Sequence, residues 1–229
     1  MTAPVEPRVE LGGRLQRPGS ATTTMVTSFQ QVLGRHGLTM VTALAFALMA
    51  VQFGLDRQVA LPAIRLPASL YLGAGALMLL FAAVFWRVRG MLSDAQQWKW
   101  LAYLLAISAI EEMAFRVFFP MFLSHVVEPN ISVLVSNALF AGLHYVTLRW
   151  RLSNCVWVFF GGLGLARLFH ETGDLALIIG VHWFATFLNT PTPPGSRRAI
   201  AGAHLVESEK SEAVVRETGT QSPSFKEKI

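Results

Sequence analysis

The chain has 229 residues, of which 53% are hydrophobic and only 14% charged, with a formal net charge of +5. Its apolar residues come in long runs rather than amphipathic stripes, which excludes an ordinary soluble domain and reads as an all-α, polytopic membrane protein. The basic residues flank those runs instead of forming a stripe interleaved with exposed aromatics, so no nucleic-acid partner is expected, and the single Cys155 excludes an internal disulfide or a cysteine-rich zinc site.

Residues 1–37 are rich in Pro, Gly, Ser and Thr and have no apolar stretch near the start, which reads as a polar tail rather than a cleavable signal. Six apolar spans follow, at about 38–55, 67–86, 100–124, 131–148, 153–170 and 174–190, each near the roughly 17 to 25 residues that cross a hydrocarbon core. They make residues 38–190 a bundle of about six transmembrane helices. Pro120 reads as a kink or a helix end, because neighbouring helices can satisfy freed backbone groups inside a membrane. The run Pro191-Thr192-Pro193-Pro194-Gly195 ends the last span, and residues 191–229, polar and of mixed charge, are expected to be a disordered tail.

Basic residues in the short segments set the orientation. Arg8, Arg14, Arg17, Arg35, Arg87, Arg89, Lys99, Arg149, Arg151, Arg197 and Arg198 fall on one face, eleven against Arg57 and Arg65 on the other. Both termini are therefore expected in the cytoplasm of a multi-pass protein, with a bacterial inner membrane the best-suited setting. Trp86, Trp98, Trp100 and Trp150 fall at the same boundary, where amphipathic rings prefer to sit.

The third span carries Glu111-Glu112-Met113-Ala114-Phe115-Arg116, and each ionised group there costs roughly 2.5 to 3.5 kcal/mol to insert. Glu112 and Arg116 are four apart with the acid nearer the N-terminus, the favourable order for an ion pair on one helix face. Glu111 points about 100 degrees away and is expected to address a cavity, where it could serve as a general acid or base. In the fourth span Asn137, Phe140 and His144 share one stripe; in the sixth, His182, Thr186 and Asn189 do the same. Such stripes also serve as hydrogen-bonding glue between helices. Counting 1.5 Å per residue puts Glu111, His144 and His182 between the midplane and the cytoplasmic boundary, so the three can converge. One carboxylate with two imidazoles is also a zinc set, although the charge of Arg116 nearby would repel a dication.

Glu111-Glu112-xxx-Arg116, then Phe140-xxx-His144, then a histidine in the last span resemble the three motifs of the CPBP family, the CAAX proteases and bacteriocin-processing enzymes, or ABI-type glutamic intramembrane endopeptidases. The resemblance covers about residues 100–190 and is strengthened by Gly161-Gly162-Leu163-Gly164 and by Glu171-Thr172-Gly173-Asp174-Leu175 leading into Ile179-Gly180-Val181-His182. It implies a hydrolase that needs no cofactor or metal. In that scheme Glu111 and His144 activate a water, and His182, helped by Thr186 or Asn189, holds the developing oxyanion. Family members usually carry Asn four residues after the last histidine, where this chain has Thr186. The implied partners are the lipid bilayer and a peptide or protein substrate, such as a membrane-anchored C-terminal segment. Two other classes use the same ingredients: a proton-coupled transporter, for which no paired broken helices are seen, and a catalytically silent immunity or scaffold protein. Convergence of the three groups separates the enzyme from the scaffold.

Overall fold

The computed structural model describes Leu15, Val26 and residues 28–54, 65–90 and 95–194. The expected C-terminal tail from residue 195 and most of residues 1–27 lie outside the described residues. All regular structure among them is helical apart from isolated bridge positions. In chain order the helices are α1 (Phe29–Val32), α2 (Leu38–Gly54), α3 (Ala68–Val88), α4 (Ala95–Glu112), α5 (Phe119–Leu123), α6 (Pro129–Thr147), α7 (Leu152–Thr172) and α8 (Leu175–Asn189). Two wider π-helical turns, Leu33–Gly37 and Met113–Phe118, join α1 to α2 and α4 to α5. The observed helices follow the expected spans closely. Helix begins earlier than expected, however, because Ser28 caps α1 by accepting from the Gln31 amide, so residues 29–37 of the expected tail are helical.

The second π turn has a readable cause. In that turn each amide bonds five residues back, as Phe119 N does to the Ala114 carbonyl. Pro120 has no amide hydrogen to continue the series, which leaves the Phe115 carbonyl free. Ser136 of α6 donates its hydroxyl to that carbonyl at 2.7 Å. Pro120 therefore changes the helix from within rather than ending it, and α6 supplies the missing bond.

Helix α4 is central, packed against α2 and α8, while α6 packs on α7 and α8 also contacts α3 and α7. Gly173, at φ +63, closes α7 in the left-handed conformation that glycine adopts without strain. Asp174 then caps α8, accepting from the Leu177 amide with one oxygen and from the Tyr71 hydroxyl of α3 with the other. At the far end of α8, Trp86 and Trp100 donate their indole N–H groups to the Pro191 and Thr190 carbonyls. These two rings are buried in the core rather than facing lipid, because the carbonyls past a helix end need donors. Trp98 stays exposed.

The outer surface is apolar: Leu72 is 74% exposed, Leu77 68% and Val88 78% on α3, with Trp157 at 74% on α7. Large apolar side chains in such number have no stable place in water, and they suit a lipid-facing surface. Helices α3 and α7 are each long and apolar enough to cross a membrane. The chain is an all-α membrane protein.

Candidate active site

Four helical segments converge on the acidic pair at the end of α4. Glu111 and Glu112 are both buried. Adjacent positions on a helix diverge, and the two carboxylates accordingly meet different partners. Glu112 Oε2 lies 3.3 Å from Arg116 Nε, the pair expected from their spacing, with both side chains fully buried. Its other oxygen, Oε1, lies 2.6 Å from His182 Nδ1 of α8. Glu111 Oε2 lies 3.5 Å from Nε2 of the same ring, so His182 bridges the two carboxylates.

Glu111 Oε1 does not face an open space. It lies 2.8 Å from Nε2 of His36, a buried residue of the first π-helical turn. The expected freedom of Glu111 is thus corrected: the N-terminal segment brings a base onto it. The other ring nitrogen of His36, Nδ1, lies 2.9 Å from the Thr147 hydroxyl. His36 stands alone in a polar stretch, without helical repetition, so no pattern marks it. Its only signal is a histidine just before an apolar span, at the same boundary as His144.

His144 is buried beside His36, with ring centroids 4.9 Å apart. Its Nδ1 is 2.9 Å from the Phe140 carbonyl, which can only accept, so Nδ1 carries the hydrogen and the neutral ring presents a lone pair at Nε2. Phe140 fills the space between the charged groups. The Arg116 guanidinium carbon lies 4.3 Å above its ring, and the His144 and His182 rings meet it edge-on at 4.6 and 6.0 Å. Such a cation over an aromatic face is stabilised by the ring quadrupole.

Asn137 is buried behind this layer and donates to the Val133 carbonyl. A Cβ at Gly162 of α7 would collide with Asn137 Oδ1 and come 2.7 Å from Arg116 Nη2. Absence of a side chain at Gly162 is what lets α7 close over the guanidinium. Among the described residues, Arg116 Nη1 and Nη2, Asn137 Oδ1 and Ser108 Oγ are buried without a hydrogen-bond partner.

The structure therefore brings together Glu111, Glu112, Arg116, Phe140, His144 and His182, with Asn137 behind them, and adds His36. It does not bring in Asn189, which is exposed and donates to the Ala185 carbonyl of its own helix. The reason is distance along the axis: Asn189 lies about 10 Å beyond His182 at 1.5 Å per residue. Thr186 is half-buried and forms no side-chain hydrogen bond with His182. For a metal, the set within reach also differs from the expected one. One ligand atom each from His36, Glu111 and His144 lie within 4.8 Å of one another, while His182 Nδ1 is engaged by Glu112.

No curated protein and no solved structure matches the chain. A family model does, over residues 93–188, under the description type II CAAX prenyl endopeptidase Rce1-like. That segment holds every charged or imidazole side chain of the cluster except His36, and the match agrees with the resemblance carried by the three motifs. Residues 93–188 are thus similar to an Rce1-like endopeptidase domain, of the kind that intramembrane proteases of the CPBP family carry.

Proposed function

We propose that the chain is a glutamic intramembrane endopeptidase that cleaves a peptide bond near the cytoplasmic boundary without a metal. The observation that carries this reading is the meeting of Glu111 with His144 and His182 in one buried cluster, with Glu111 Oε2 3.5 Å from His182 Nε2. A silent scaffold has no need of such convergence, since separate polar stripes would serve helix packing equally well.

The roles follow from the hydrogen positions. His144, with Nδ1–H given to Phe140, accepts a water O–H at Nε2 and turns the water oxygen toward a substrate carbonyl carbon. As the new C–O bond forms, the carbonyl π pair moves to oxygen and the water proton passes to Glu111 Oε2. From there it reaches His182 Nε2. The His182 imidazolium, with its Nδ1–H held by Glu112, then faces the oxyanion. Collapse of that intermediate breaks the C–N bond, and the proton returns through Glu111 to the departing amine. Arg116 balances Glu112 and does not take part in proton transfer.

The class of substrate follows from the domain: a peptide or protein, reached from the bilayer, with a prenylated or otherwise anchored C-terminal segment as the leading candidate. Both termini lie in the cytoplasm in this reading, and a bacterial inner membrane is the host. A zinc-dependent protease on His36, Glu111 and His144 is the second reading, favoured by the closeness of those three ligand atoms.

The test compares terminal peptides of the membrane proteome in cells carrying the native chain and Glu111→Gln. New C-termini present with the native chain should be absent with the variant, a loss of at least about 100-fold in cleavage. Cleavage retained by purified Glu111→Gln ends the glutamic reading.

A further inference from the structure

His36 lies outside the segment that matches the family model, yet it makes the shortest contact to Glu111, 2.8 Å from Nε2 to Oε1. The hydrogens around it can be counted. Thr147 has one hydroxyl hydrogen and gives it to the Leu143 carbonyl at 2.7 Å. Its oxygen is then an acceptor for His36 at 2.9 Å, so His36 Nδ1 carries a hydrogen. A neutral ring so oriented turns the lone pair of Nε2 toward a carboxylate oxygen. Two lone pairs cannot hold that separation when buried, so one positive charge lies between them.

Charge balance says which charge it is. Glu111 and Glu112 with Arg116 leave the buried cluster one negative charge in excess. A single proton cancels it, whereas a divalent cation would leave a positive excess in a buried site beside the Phe140 ring. The groups facing this point from the packed helices are Tyr103 and Glu111 of α4, His144 of α6 and, across Glu111, His182 of α8.

We propose that His36 is a positioning residue of the active carboxylate: it shares one proton with Glu111 at Oε1 and so keeps Oε2 charged and turned toward His182. The inference rests on the glutamic reading of Glu111. In this role His36 acts through Glu111. By carrying the proton itself, it spares Glu111 the proton that a carboxylate buried alone would take up, and the carboxylate remains a base.

The experiment uses the full-length chain in detergent and a fluorogenic prenylated peptide as probe. In His36→Ala, kcat should fall at least about tenfold with KM within about twofold, and added imidazole should restore part of the loss. His36→Gln retains a hydrogen-bond donor of similar reach but cannot carry the proton, and it should be as slow as His36→Ala. Native kcat in either variant overturns the proposal. Copurified zinc that disappears in His36→Ala, with activity of the native chain dependent on it, overturns it in favour of a metal. If His36→Ala does not fold, His36→Gln decides alone on the same criteria. Glu111→Gln is assayed alongside: activity there sinks the glutamic mechanism itself, whereas an inactive Glu111→Gln with a fully active His36→Ala sinks only the role of His36.

Discussion

The Arg116 guanidinium carbon sits 4.3 Å from the centre of the Phe140 ring, and its Nε lies 3.3 Å from Glu112 Oε2. The guanidinium is therefore held by one charge and one aromatic face, fully buried. Removing it as Arg116→Ala leaves Glu112 an unpaired buried charge, at a cost of about 3 to 5 kcal/mol. The variant should accumulate poorly in membranes, measured by quantitative blotting. The double change Glu112→Gln with Arg116→Met should recover accumulation, since it removes both charges at similar volume. Normal accumulation of Arg116→Ala with no activity would make Arg116 a participant in the reaction instead.

Gly162 and Gly161 are neighbours that should respond oppositely. A methyl group at Gly162 meets Asn137 and Arg116, both buried and unable to withdraw into solvent, whereas nothing lies within 4 Å of one at Gly161. Gly162→Ala should destabilise by about 1 to 3 kcal/mol and lower the thermal unfolding temperature in detergent. Gly161→Ala should leave it unchanged or slightly raised, alanine being the better helix former. Equal behaviour of the two would mean that α7 does not close on the guanidinium.

Metal dependence is open to a direct measurement. A strong chelator should leave the rate of the purified chain unchanged, because one proton already neutralises the cluster. Activity lost on chelation and restored by zinc, with about one zinc per chain, would overturn this.

Orientation is the fourth expectation. Eleven basic residues in the short segments oppose two, so reporter fusions at residues 20 and 200 in a bacterial host should both give the cytoplasmic signal. Opposite signals from the two fusions would require an odd number of crossings.

Much of the candidate cluster was legible because its residues violate their surroundings. Glu111, Glu112 and Arg116 stand out in an apolar run, while His144 ends and His182 begins a polar stripe on an apolar helix. The span boundaries followed from run length alone. His36 was hidden by the reverse condition: in a polar stretch a histidine costs nothing, so its burial on Glu111 is visible only after α1 and the first π turn have folded. Asn189 shares a face with His182 but stands about 10 Å further along the axis, and the structure leaves it exposed on the Ala185 carbonyl. The inward turn of Trp86 and Trp100 was likewise illegible, because the same ring suits both a lipid boundary and a carbonyl at a helix end.

The π-helical turn at Met113–Phe118 makes the spacing between the Glu111–Glu112 pair and everything after Pro120 a matter of phase. A π turn holds about one residue more than an α turn, so a helix can take up or release one residue here while the segments on either side keep their own winding. Deleting Met113 would let the segment return to ordinary α-helical winding with almost the same length and hydrophobicity. Arg116 would then stand three residues from Glu112, still on its side of the helix, but the Phe119 amide would turn to the Phe115 carbonyl and compete with Ser136 for it. Substitutions along this stretch are graded, whereas its length admits only whole steps, and one step is enough to change which donor holds the Phe115 carbonyl.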